Sequence, residues 1–137
     1  MALMQGLISL LLTNTAITSV VAGGNAVQTI PAPTETSGYP AVVMSQISET
    51  NDYVLSGPAG LTHARICFDC LAPQNPGGYG VARNLALSVK KTLDGFIGSL
   101  PDGTQVDFIE IATIRDSFDA DATLSCTSVQ AMIHFPD

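Results

Sequence analysis

Cysteine, histidine and clustered aspartate are the residue types in this chain that could carry chemistry, and their spacing narrows what each could do. Cys67-Phe68-Asp69-Cys70 has the C-x-x-C spacing of zinc ligands and of redox dithiols. It lies, however, in a stretch from Thr62 to Leu71 that reads as a strand, where residues three apart point to opposite faces. Two thiolates on opposite faces cannot share one metal ion, and the redox form of the motif opens a helix, which this segment does not. Three cysteines, an odd number, fit reduced thiols rather than a disulfide framework. Buried structural cysteine is the expectation.

The two histidines, His63 and His134, stand far apart in sequence with no nucleophile singled out beside either, so structural, hydrogen-bonded rings are expected. Gly77-Gly78-Tyr79-Gly80 lacks the preceding strand and the spacing that cradle a phosphate. Asp116, Asp119 and Asp121 alternate like part of a calcium loop, but the glycine and the closing glutamate of that loop are missing. A solvated acidic loop from Arg115 to Ala122 is the simpler reading, with Phe118 its single aromatic residue. No catalytic residue, cofactor site or metal site is expected.

The elements that would position these residues follow from hydrophobic period. Leu3, Leu7, Leu10 and Leu11 form one stripe of a helix from about Ala2 to Leu12, and Asn14 can cap a short turn from Ala16 to Val21. The leading apolar run is too short to span a bilayer, and no Lys or Arg precedes it as in a signal peptide; a core helix is expected and no membrane segment. Ala26 to Gly38, with Pro31, Pro33 and several threonines, should be extended and irregular. Strands follow from Tyr39 to Thr50 and from Thr62 to Leu71; the second places Ala64, Ile66, Phe68 and Cys70 on an apolar face and His63, Arg65, Cys67 and Asp69 on a polar one. Their connection, Asn51 to Leu61, is too long for a tight turn and makes a candidate contact loop, with Asp52, Tyr53, Leu55 and Pro58 as the contacting residues.

A helix from about Tyr79 to Leu93 puts Val81, Leu85, Val89 and Leu93 on one stripe, with Lys90 and Lys91 at the end where cations complement the helix dipole. After the Pro101-Asp102-Gly103 turn come strands from about Thr104 to Ile114 and from Thr123 to Phe135. The order predicts an α+β fold: a four-stranded, mostly antiparallel sheet with two main helices packed on one face, in a single domain spanning 1–137.

Composition adds a constraint on partners. Charged residues make up only 12% of the chain against 46% apolar, a small charged surface for a solvated monomer, which points to oligomer interfaces. The formal net charge is -7, and the five basic residues form no stripe that could neutralise a row of phosphates. Attractive DNA binding is not expected on that ground, whereas an acidic wall along which DNA slides is compatible with it.

Leu55-Ser56-Gly57-Pro58-Ala59-Gly60-Leu61 feeding the strand at Ala64-Arg65, the Tyr39-Pro40 strand start, and Leu93-Asp94-Gly95-Phe96 after a helix fall in an order that resembles the small tail-completion and tail-terminator proteins of long-tailed bacteriophages. The likeness runs from the first helix to nearly the C-terminus; the Thr-rich segment from Thr29 to Gly38 and the low charge depart from it. The resemblance implies a virion protein without catalytic role that stops tube growth and caps the tail as a ring, hexameric, at its head-proximal end. Its partners would be its own copies, the tail tube protein and a head-side connector or stopper, with DNA passing through the lumen unbound. On that reading Asp116, Phe118, Asp119 and Asp121 face the lumen or a partner, and the 51–61 loop meets a partner. A head-to-tail adaptor or other neck protein is the nearest alternative, and a small oligomeric α+β enzyme with a site at a subunit boundary is the alternative of a different class.

Overall fold

In the computed structural model of the chain, the residues described are 2–21, 27–29, 39–73, 78–119 and 123–136. Helix α1 (Ala2–Leu12) leads into a single turn, α2 (Thr15–Thr18). Asn14 caps that turn, its side chain accepting from the Ala16 N–H at 2.9 Å while its amide donates to Thr92 Oγ1 at 2.6 Å. One asparagine thus satisfies a helix end and ties it to the third helix, α3 (Gly78–Leu93).

The sheet has five strands, not the four expected. In chain order they are β1 (Val27–Thr29), β2 (Ala41–Val54), β3 (Gly57–Pro73), β6 (Phe108–Asp119) and β7 (Leu124–Pro136), arranged β1-β2-β3-β7-β6. Strand β1 lies parallel to β2, with Val27 opposite Val42, and the other pairs are antiparallel. A strand of three residues carries too little alternation to be read from sequence. The segment expected as one strand from Thr104 is divided: β5 (Gln105–Val106) pairs with β4 (Gly98–Ser99) around the Pro101-Asp102-Gly103 turn, and β6 begins only at Phe108.

Two further expectations need correcting. The stretch 51–61 is not a long loop: β2 and β3 stay paired out to Val54 opposite Gly57, leaving Leu55 and Ser56 as the turn. Gly57, Pro58 and Gly60 look like punctuation, yet a proline is tolerated on a strand with a free edge. The acidic stretch 115–122 is likewise mostly strand, since β6 runs to Asp119.

One face of the sheet is packed. Ala64, Ile66, Phe68 and Cys70 of β3 sit in register with Ile133, Ala131, Val129 and Thr127 of β7, and all eight are fully buried. Leu85, Ala86, Val89 and Leu93 of α3 and Leu3, Leu7 and Leu11 of α1 close over them. The 3.6-residue stripe of α3 therefore meets the two-residue alternation of the strands, and hydrophobic burial holds the two layers together.

Candidate functional site

The described helices lie on one side of the sheet, and on the other side β3, β7 and β6 carry a polar ladder, while Ala41 and Val43 of β2 on that side are buried. The ladder's members come from the alternate positions of β3, β7 and β6, which the core alternation forces outward. At one end His63 and His134 are direct cross-strand neighbours whose Nδ1 atoms meet, and His134 Nε2 lies 3.0 Å from Glu110 Oε1. If His63 Nδ1–H donates to His134 Nδ1, then His134 Nε2–H donates to Glu110, and the three side chains form a continuous hydrogen-bonded chain. Phe108 stacks on His134 at 4.0 Å between ring centres, and the two histidine rings meet edge to face. A hollow of about 340 Å³ beside them is lined by Ser48, Thr50, His63, Glu110, Met132 and His134.

Midway along the ladder Arg65 donates to Gln130 Oε1 at 3.0 Å. Beyond it the Asp69 carboxylate accepts from Ser128 Oγ at 2.6 Å and from Cys67 Sγ at 3.2 Å, with Cys126 Sγ 3.5 Å from Ser128 Oγ. Burial and the adjacent Asp69 charge push the Cys67 thiol up to about 12. Burial also raises Cys126, and it raises the core-facing Cys70 well above its ordinary value. These are thiols held protonated, the reverse of a nucleophile or metal ligand. Among the described residues no group of three or more His, Cys, Asp or Glu side chains is placed to hold a metal ion.

The sign of this shift gives a test. The folded state keeps Cys67 protonated up to about pH 12, whereas the unfolded chain ionises near 9.0, so the stability it contributes is full below 9.0 and is lost as pH rises towards 12. Alkylation by iodoacetamide at about pH 8 should be much slower in the native protein than in urea, and Cys67→Ser should soften the alkaline loss of stability. Equal alkylation rates in native and unfolded protein would show that the thiol is not shielded.

Residues 5–134 match the family described as "Tail completion protein gp17". The chain belongs to that family. Among solved structures, a chain of the "Virion of native gene transfer agent (GTA) particle" superposes with a TM-score of 0.72 at 12% identity, covering 98% of this chain and 95% of that one. At that identity the likeness shows the shared fold. No curated protein sequence matches. As a tail completion protein the chain is a structural component of phage tails.

In this tail completion protein the two groups of residues singled out from sequence lie on different parts of the sheet. Asp116 is a strand residue on the helix side of β6, held by Thr127 Oγ1 at 2.8 Å, by Tyr79 Oη at 3.3 Å and near Arg83 at 3.7 Å. It is a tie between α3 and the sheet edge rather than part of a free acidic loop. Phe118 is half-exposed on the same strand and Asp119 ends it, while Asp121 lies outside the described residues. Asp52 and Tyr53 belong to β2 and Pro58 to β3, and Leu55 is in the turn between them, fully exposed. Sequence reasoning missed the His63–His134–Glu110 chain. Both histidines fall on polar positions of alternating strands, but only the register of β3 against β7 brings them together.

The ties of Asp116 change what a charge reversal there should do. Asp116→Lys removes the acceptor of the fully buried Thr127 hydroxyl and places a cation beside Arg83. An unsatisfied buried hydroxyl costs about 1–3 kcal/mol, while the half-exposed Arg83 pair adds little. Thermal unfolding should show a loss of that order, with Asp116→Asn losing less because its amide oxygen can still accept from Thr127.

Proposed function

We propose that this chain terminates and caps the tail tube as a closed sixfold ring at the head-proximal end, stacking on the tail tube protein on one side and on a head-side connector on the other. Its 137 residues act as a single domain in that ring. The observation that carries the reading is the family match over residues 5–134. The fold shared with the virion chain of a gene transfer agent particle supports a place in a phage-like assembly. The physical form suits ring assembly. The sheet has one face packed by helices and a polar ladder on the other, its long outer strand β6 has a free edge among the described residues, and exposed apolar side chains at Ile47, Leu55, Ile97 and Phe118 are ones that an assembly would bury.

The net charge of -7 suits a wall past which DNA moves without being held. Asp119 and Asp121, at and beyond the end of β6, are assigned to the lumen, and Asp116 to holding that end of the strand. Asp119→Lys with Asp121→Lys should therefore leave folding intact and slow DNA passage during ejection. Normal ejection by such particles would remove the two residues from the lumen.

Loss of the protein provides the functional test. Cells infected by phage lacking it should accumulate tubes of unregulated length that fail to join filled heads. Tails of normal length beside heads that leak DNA would instead assign the chain to the head-to-tail adaptor position.

A further inference from the structure

The β2–β3 hairpin carries an apolar knob at one end and an apolar socket at the other. Pairing of β3 with β7 stops at Leu61 opposite Pro136, and β1 reaches β2 only at residues 42–44. Among the described residues, the hairpin beyond those points is a two-stranded arm ending in Leu55, whose relative exposure is 111%. A two-stranded ribbon is marginally stable in water and gains order by docking. Single exposed leucines are common, so Leu55 alone decides nothing.

The second observation is the cavity where the hairpin starts and ends, about 320 Å³ in volume and lined by Val20, Tyr39, Pro40, Ala72, Pro73 and Val81. Among the described residues its lining is uncharged. A dry cavity of about 150 Å³ already accepts a benzene ring, so this one has room for a leucine and part of its neighbour. The arm cannot fill its own socket, because the 14 residues of β2 separate the two ends, a span of roughly 45 Å at strand rise.

We propose that the arm of one copy docks on the next copy, with Leu55 seated in the socket formed by Tyr39, Pro40, Ala72, Pro73 and Val81. Knob and socket lie at opposite ends of one element, so the contact is heterologous, head to tail. Such contacts close into a ring when the rotation between copies allows it. The proposal deepens the ring reading by naming the contact between neighbours. It uses the fully exposed position of Leu55, where a substitution disturbs no packing within the chain.

The experiment places the photo-crosslinking residue p-benzoylphenylalanine at position 55 of the full chain and irradiates both the concentrated purified protein and assembled particles. The expected product is a dimer of this chain whose adduct maps to the peptides containing Tyr39 or Val81. Leu55→Asp should lower particle yield at least tenfold, Leu55→Met should retain it, and circular dichroism of both should match the parent. An adduct to the tail tube protein or to a head-side protein would overturn self-docking while leaving the protein at the tail. Adducts joining position 55 to position 55, or no adduct in either setting, would overturn it as well.

Discussion

Phe68→Ala should lower stability by about 3–5 kcal/mol, the range for emptying a fully packed aromatic site. Phe68 is fully buried at the centre of β3, with Met44 of β2 and Val129 of β7 directly opposite on the two neighbouring strands, both also buried. Strand backbones on both sides and α3 above leave the surroundings little freedom to collapse into the space. For a chain of this length the loss corresponds to a fall in melting temperature on the order of 10 °C or more. Phe68→Leu should cost less, because part of the volume is kept. Arg65→Ala, on the open face of the same strand, should cost under about 1 kcal/mol, since its bond to Gln130 is half-exposed. Comparable losses at Phe68 and Arg65 would mean that the packed and open faces are wrongly assigned.

Gly78→Ala is the second large effect, and its sign runs against intuition. Glycine is a poor helix residue, so alanine in a helix usually adds up to about 1 kcal/mol. Gly78 opens α3, however, where an added Cβ would lie 2.4 Å from the Pro73 carbonyl oxygen and 3.1 Å from Ser125 Oγ. The first of these is backbone at the end of β3 and cannot turn aside as a long side chain could. Overpacking of this kind costs about 1–3 kcal/mol, and here α3 must shift off the sheet to relieve it. Gly80→Ala supplies the contrast: nothing lies within 4 Å of the Cβ it would add, so it should be neutral or stabilising. Denaturant unfolding of the two variants should therefore move in opposite directions, and a stabilised Gly78→Ala would show that α3 does not approach β3 so closely.

The packed layer is legible in the sequence for a physical reason. Leu85, Val89 and Leu93 recur at helical spacing and Val129, Ala131 and Ile133 at strand spacing, and each set is buried where its period places it. What stays hidden depends on long-range register. The fifth strand is formed by Val27–Thr29 pairing with residues of β2 far along the chain, and three residues carry no period of their own. Gly57, Pro58 and Gly60 signal a turn locally, but pairing with 51–54 keeps the hairpin extended to its tip. Charge alone groups Asp116 with Asp119 and Asp121, although its neighbours Thr127 and Tyr79 make it a structural acceptor. His63 and His134 are 71 residues apart in sequence and meet only because β3 and β7 are aligned in one particular register.

The position of the protein in the particle tests the central claim most directly. Electron cryomicroscopy of intact virions, at a resolution that traces strands, should show the five-stranded sheet repeated in one ring of six copies between the last tube ring and the head-side connector. The same fold repeated along the tube, seated at the distal tip, or present as a single unclosed copy would contradict the assignment.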